Sequence, residues 1–188
     1  MSLVPLARIR FAALLCACLL FTGPRLAPGA TVVPLTLEQM GRIASDEVIG
    51  AVEDTRAGWD KDHRLIETRV RIRVEKRIKG QGGPIVNVVV PGGVVGDTGM
   101  KTPGAAVFNV GERVLLLAEP KRPGEIRPVG LFQGKLAVRK DASGADVVEA
   151  PGPAWGSRGE VLPAGAMPPG AIPALPLDEV IRRLGGRP

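Results

Sequence analysis

Apolar and charged residues alternate with a period of two along residues 66–79. Valine, isoleucine or threonine stands at positions 66, 68, 70, 72, 74 and 78, and arginine, glutamate or lysine fills the positions between them. Successive side chains of a β-strand point to opposite faces of the sheet. The pattern therefore predicts one long strand with a buried face and a charged face, interrupted on the apolar side only by Lys76.

A second two-residue pattern, EVIGAVED, covers residues 47–54. It places two valines and a glycine on one side, and Glu47 and Glu53 on the other, so we expect a shorter strand whose carboxylates face water beside the arginines. Residues 55–64 are polar and are expected to connect the two strands. Further strands are predicted over 84–91, 105–109, 112–119, 125–132 and the two arms of 135–150, which turn at 141–144.

Two short helices are expected on either side of these strands. At the first, Thr36 and Gln39 have the spacing of a capping box, in which each side chain bonds the backbone N–H of the other residue. The second is predicted over residues 176–185. Its apolar stripe consists of Leu177, Val180, Ile181 and Leu184. A helix this short is marginal alone, so we expect it to dock on the sheet.

These elements predict an all-β fold, a small OB-like barrel of five to seven antiparallel strands with short N- and C-terminal helices. The barrel domain is assigned to residues 31–150. Residues 151–175 are rich in proline, glycine and alanine without a period, which is typical of a linker. The amphipathic helix over 176–185 follows.

Residues 1–30 have the pattern of a cleaved signal peptide. Arg8 and Arg10 precede the apolar run FAALLCACLLF, and small residues up to Ala30 offer a cleavage site. The run is shorter than the roughly 20 residues of a membrane-spanning helix. Cys16 and Cys18 lie within it, so a lipoprotein anchored at Cys18 is the alternative. The sequence predicts export to the bacterial periplasm or exterior, with no transmembrane helix in the mature chain.

Removal of residues 1–30 changes the charge of the protein. The full chain has 25 basic and 19 acidic residues, a net charge of +6. Loss of Arg8, Arg10 and Arg25 leaves 22 basic residues and a net charge of +3, too weak to indicate a polyanion binder by itself. The mature chain also has no cysteine, which excludes a thiol nucleophile and a cysteine-ligated metal site.

The segment from Glu47 to Val138 carries a resemblance to known proteins. Its order is a V-x-G-x-V strand, a loop with tryptophan, a T-x-V-x-I-x-V strand ending in Lys79 and Gly80, then GG, GERVLLLA and VGLFQGKL. This order is similar to that of a group of uncharacterised exported bacterial β-rich proteins. It also resembles the netrin-like module of the tissue inhibitors of metalloproteinases, which implies an OB-type five-stranded barrel.

The netrin-like resemblance does not extend to protease inhibition. That mechanism needs an N-terminal cysteine that chelates the zinc of the target, and the mature chain has none. An OB barrel often has a helix between its third and fourth strands as well. Here the corresponding interval, residues 91–111, is too rich in glycine to favour a helix.

Four arginines on the charged face of the long strand are the first candidate binding residues. We call Arg69, Arg71, Arg73 and Arg77 the arginine stripe. OB barrels bind polyanions on such a face. No aromatic side chain is interleaved with the stripe, so nucleic acid is disfavoured, and nearby glutamates favour a solvated face held by cross-strand pairs.

A polar loop holds the second candidate, Asp60, Asp62 and His63. A carboxylate and an imidazole together can act as acid and base or bind a metal. His63 is the only histidine in the chain, so the loop offers few ligands at defined spacing. A structural hairpin loop is the competing interpretation.

The function predicted from the sequence is a non-catalytic exported module that binds or scaffolds an unidentified protein or envelope component, without a cofactor. Two alternatives stay open. One is a hydrolase or metal-dependent enzyme that uses the Asp60, Asp62 and His63 loop. The other is polyanion binding through the arginine stripe.

Overall fold

The computed structural model describes residues 34–149 and 174–186. The predicted signal peptide and all but the last two residues of the predicted linker lie outside these ranges. Two helices flank the strands of the described part, α1 (Leu37–Ile43) and α2 (Leu177–Arg183). The strands are β1 (Asp46–Trp59), β2 (Ile66–Lys79), β3 (Ile85–Pro91), β4 (Gly93–Val95), β5 (Thr98–Met100), β6 (Arg113–Arg122), β7 (Glu125–Pro128), β8 (Lys135–Lys140), β9 (Asp146–Glu149) and β10 (Leu175–Pro176).

Most strands join one large mixed sheet in the order β1-β2-β3-β7-β6-β8-β9-β10. Strand β1 pairs with β6 as well as with β2, and β4 and β5 form a separate hairpin. All neighbours within the described residues are antiparallel except β3 and β7, which run parallel with Val88 opposite Ile126. The prediction of a mostly β fold is confirmed. The prediction of a wholly antiparallel arrangement is wrong at this one pair, because β7 approaches β3 through a hairpin with β6 rather than directly.

Strand β6 is buried on both faces over residues 114–118, which explains the uninterrupted apolar run VLLLA. Val114, Leu116 and Ala118 alternate with Leu115 and Leu117, and all five are 0% exposed. The first three residues pack in one cluster and the other two pack in another. Full burial of a valine or leucine side chain contributes about 1.5–3 kcal/mol. Strand β6 contributes to both cores, as does β1 through Val48 and Ile49.

The first cluster, here called the strand core, lies between the strands. Its buried members are Val48, Val52, Val70, Ile72, Val86, Val88, Val90, Ala106, Phe108, Val114, Leu116 and Ala118. They come mainly from alternate positions of β1, β2, β3 and β6, as the alternation of side chains along a strand predicts. Ala106 and Phe108 enter from the loop between β5 and β6.

The second cluster, here called the helix core, lies between the sheet and the two helices. Its buried members are Leu37, Met40, Ala44, Ile49, Leu115, Leu117, Val129, Leu136, Val138, Val148, Leu177, Val180 and Ile181. The predicted capping box of α1 is present, with the backbone N–H of Gln39 donating to Thr36 Oγ1 at 3.2 Å. Helix α2 begins at Leu177 and docks its apolar stripe in this core, as predicted.

Four local expectations are wrong. The strand predicted over 125–132 ends at Pro128, and residues 129–132 form turns. Strand β1 continues to Trp59, so its connection to β2 is shorter than residues 55–64. Residues 105–109 form no strand, because Ala106 and Phe108 turn into the strand core instead. Leu175, assigned to the linker, pairs with Val148 in β10.

Candidate functional site

The arginine stripe lies on the charged face of β2, as the alternation predicted. Three of its members are neutralised by carboxylates of neighbouring elements. Arg73 Nε lies 3.0 Å from Glu53 Oε1, Arg77 Nη1 lies 3.2 Å from Asp46 Oδ1, and Arg69 Nε lies 3.6 Å from Glu125 Oε1. Within the described residues Arg71 alone of the four has no ion pair. The stripe therefore presents little uncompensated charge.

Glu67, on the same face of β2, is 5% exposed, although the alternation predicted a solvated carboxylate. Lys121 Nζ and Arg122 Nη2 lie 2.8 and 2.6 Å from its Oε1 atom. We call Glu67, Lys121 and Arg122 the ion clasp. Burial alone would raise the pKa of Glu67, but the hydrogen bonds from Lys121 and Arg122 outweigh it and lower the pKa. The clasp ties β2 to the β6–β7 hairpin across β3.

A groove of about 640 Å³ lies beside the first half of β3 and the β6–β7 hairpin. Its lining residues are Asp46, Arg77, Gln81, Gly82, Ile85, Val86, Asn87, Pro120, Lys121, Arg122, Pro123, Gly124, Glu125 and Ile126. Two cations on its walls pair with carboxylates of the walls, since Arg77 bonds Asp46 and Arg122 Nη1 lies 3.2 Å from Glu125 Oε2. The third cation, Lys121, pairs with Glu67 outside the groove. What the groove offers a ligand is therefore an apolar and amide surface.

The backbone of β3 is only partly paired on the side of this groove. Along its whole length β3 pairs with β2, from Ile85 opposite Arg73 to Pro91 opposite Glu67. On the other side it meets β7 at the single pair Val88 and Ile126. A strand edge without a partner is a template for another extended chain. The edge over residues 85–87 faces the groove, and Asn87 exposes its side chain there.

The loop between β1 and β2 places Asp60, Asp62 and His63 on a turn. Asp60 Oδ1 accepts the backbone N–H groups of Leu65 and Arg64 at 3.1 and 2.7 Å, and these bonds lower the pKa of Asp60. His63 has a φ of 53° and its ring stacks on Trp59 with centroids 6.5 Å apart. No group of three or more His, Cys, Asp or Glu in residues 34–149 and 174–186 is arranged to hold a metal ion. The loop has the contacts of a structural turn.

Glu47, expected beside the arginines in water, is buried instead. It is 1% exposed, and neither carboxylate oxygen has a hydrogen-bond partner among the described residues. Burial raises the pKa of Glu47, and the charge of Lys79 opposes this only in part. The alternation along β1 correctly predicts that Glu47 lies on the face of the strand opposite Val48. The sequence could not show that the two helices cover that face near the start of β1.

No protein-family model, curated protein or solved structure matches the chain. In the described ranges, neither helix is long and apolar enough to cross a membrane.

Proposed function

We propose that this protein is an exported, non-catalytic module built on an OB-type barrel, and that it binds an extended polypeptide segment of an envelope partner. The binding surface is the groove between β3 and the β6–β7 hairpin. The observation that carries the proposal is the position of this groove beside a half-paired strand edge. Export is inferred from Arg8, Arg10 and the apolar run that follows them.

The pairing of the strands supports the OB-type barrel. Starting from β1, neighbouring strands follow the cycle β1-β2-β3-β7-β6 and return to β1. If the β4–β5 hairpin is set aside, these are five strands in the order 1-2-3-5-4, the order of an OB barrel. The side chains that face the inside of such a ring would be those of the strand core, and Ile126 of β7 packs against that core as well.

The place of the groove fits the way such barrels bind ligands. OB barrels bind on the face of their second and third strands, beside the loops between strands one and two and between strands four and five. Here β3 and the β6–β7 hairpin supply the corresponding surfaces. Ile85 and Ile126 line the groove with apolar side chains, and the amide of Asn87 can form a hydrogen bond with a peptide group. An extended polypeptide fits this surface, because its backbone can pair with β3 and its side chains can pack against the apolar lining.

The two alternatives have less support. An enzyme built on the β1–β2 loop would need the Asp60 carboxylate, but that carboxylate already accepts two backbone N–H groups of its own turn. Polyanion binding would need free cations on β2, but three of the four stripe arginines are paired with carboxylates. Salt-insensitive binding would separate the proposed mode from a polyanion interaction.

The test is capture of polypeptides from envelope extract by residues 31–188, compared with an Asn87→Trp variant. Asn87 is exposed on a strand, and tryptophan is a good strand former, so the fold should tolerate the change while the groove is filled. The matched control is Arg139→Trp on β8, which adds the same side chain at an exposed strand position that does not line the groove.

We expect the wild type and Arg139→Trp to retain the same polypeptide and Asn87→Trp to lose it at least tenfold. Equal retention by all three proteins would refute the groove as the binding surface. Turnover of a substrate that disappears in His63→Ala would refute the non-catalytic proposal and favour the enzyme alternative.

A further inference from the structure

Glu47, near the start of β1, is a buried carboxyl group whose two oxygens both lack a hydrogen-bond partner among the described residues. A buried carboxylate without a partner is costly, and the usual outcome is that the group takes up a proton. A buried unpartnered group of this kind calls for a physical explanation.

Lys79 is the basic residue paired with Glu47 across the strands, but its ammonium group makes a hydrogen bond to another residue. Lys79 stands directly opposite Glu47 in the pairing of β1 with β2, at a separation that brings side chains of opposite charge together. Its ammonium group instead donates to the backbone carbonyl of Gly41 in α1 at 2.9 Å. Lys79 therefore joins β2 to α1 rather than to its cross-strand neighbour.

Gly41 brings the helix close to Glu47. A side chain at position 41 would place its Cβ 3.5 Å from Glu47 Oε1 and 2.8 Å from Leu184 Cδ2. A glycine in the middle of a helix costs roughly 0.5–1 kcal/mol relative to alanine. The tight contact is the one with Leu184, so glycine lets the end of α2 pack against α1, while the Glu47 carboxyl group lies at ordinary contact distance from the same turn of α1.

We propose that Glu47, Lys79 and the carbonyl of Gly41 form a proton-dependent latch for helix α1. While Glu47 is neutral, α1 covers it and Lys79 holds the carbonyl of Gly41. When Glu47 ionises, it attracts the ammonium group of Lys79, the bond to Gly41 is lost, and α1 lifts from the sheet to admit water to the carboxylate. Three donor hydrogens on a flexible stem allow Lys79 to change its acceptor in this way.

The charged groups near Glu47 come from α1, α2, β1 and β2, and Lys79 is the one whose charge opposes the effect of burial on the Glu47 carboxyl group. A cavity of about 450 Å³ above Gly41 is lined by Glu38 and Arg42 from α1, Lys79 from β2 and Arg183 from the end of α2. On β6 the residue opposite Glu47 is Leu117, which carries no charge. On β1 itself Asp46 is paired with Arg77. Lys79 is thus the cation that opposes the desolvation of Glu47 most directly.

The sign of the pH dependence follows from the raised pKa of Glu47. The folded state binds a proton that the unfolded state releases, so the free energy of unfolding is highest below the unfolded pKa and falls as the pH rises through the folded pKa. The loss is expected first in α1, since α1 is the element that covers the carboxyl group.

The experiment follows the ¹³C shift of the Glu47 carboxyl group and the exchange protection of the Met40 and Ala44 amides from pH 4 to pH 9. Both amides donate within or at the end of α1. We expect Glu47 to titrate above its ordinary range and the protection factors, corrected for intrinsic exchange, to fall about tenfold over the same interval. Glu47→Gln should remove the fall. Glu53→Gln, an exposed change on the same strand, should leave it intact.

Titration of Glu47 in its ordinary range, or the same fall in Glu47→Gln as in the wild type, would overturn the latch. Should Glu47→Gln fail to fold, Lys79→Met provides the second test. It removes the bond to Gly41 at every pH, so α1 should be weakly protected throughout, with a smaller fall. An unchanged α1 protection profile in Lys79→Met would also overturn the proposal.

Discussion

The carboxylate of Glu67 on β2 and the guanidinium group of Arg122 in the β6–β7 hairpin lie 2.6 Å apart, across 55 positions of sequence. Strand β3 lies between these two elements in the sheet. The ion clasp therefore links β2 to β6 across β3 and β7, two strands that share a single backbone pair. Because β3 and β7 share so little backbone pairing, the side-chain ion pairs of the clasp help to hold these strands together.

Replacement of Glu67 by glutamine should destabilise the protein. The change leaves Lys121 and Arg122 without their shared carboxylate, and hydrogen bonds to charged groups contribute about 1.5–3 kcal/mol. The expected result is a lower urea midpoint with an unchanged slope. Glu119→Gln is the control, because its pair with Arg127 is exposed and should contribute no more than about 1 kcal/mol. Equal effects of the two changes would contradict a special role of the clasp.

The same clasp should weaken in acid. The pKa of Glu67 is lower in the folded protein than in the unfolded chain, so its contribution is complete above the unfolded pKa and is lost as the pH falls through the folded pKa. The difference in unfolding free energy between the wild type and Glu67→Gln should therefore be constant near neutrality and shrink below about pH 4. A difference that is independent of pH down to pH 2 would argue against an ionic clasp.

Gly50 should not tolerate a side chain. A Cβ at this position would lie 2.4 Å from the carbonyl oxygen of Arg73 and 2.7 Å from Ile72 Cγ2. The first of these is backbone of the paired strand and cannot move alone, so Gly50→Ala should cost about 1–3 kcal/mol. Gly83→Ala is the control, since a Cβ there meets no atom within 4 Å. Thermal melts of the two variants give the comparison, and equal melting temperatures would show that β1 and β2 lie farther apart.

The β1–β2 loop should depend on Asp60 and not on its neighbour Asp62. Asp60→Ala removes the acceptor of two backbone N–H groups, so the amides of Arg64 and Leu65 should exchange faster. Asp62 makes only a 3.6 Å ion pair with Arg64, and Asp62→Ala should leave those amides unchanged. Faster exchange in both variants, or in neither, would show that the loop is not held by an Asp60 turn.

The alternation of residues 66–79 was sufficient to predict β2, its apolar face and the face that carries the arginine stripe, because a strand sets side-chain direction by position alone. It could not predict the burial of Glu67. That burial depends on Lys121 and Arg122, which come within reach only after the β6–β7 hairpin has formed. The alternation of neighbouring residues does not reveal an ion pair between residues that lie far apart in the sequence.

Two other failures have the same origin. The burial of Glu47 results from helices that pack over β1 from both ends of the described chain. The parallel pairing of β3 with β7 results from the order in which the strands meet. The groove, the feature on which the proposed function depends, is made by this pairing and so could not be predicted from the sequence either.

The most direct test of the proposed function is site-specific photo-crosslinking in cells that produce the protein. A photoreactive phenylalanine analogue at position 87 lies in the groove, and the same analogue at position 139 lies on β8 outside it. If the groove binds a polypeptide, position 87 should give a discrete protease-sensitive adduct and position 139 none. Adducts from both positions, or from neither, would contradict a polypeptide-binding groove on β3.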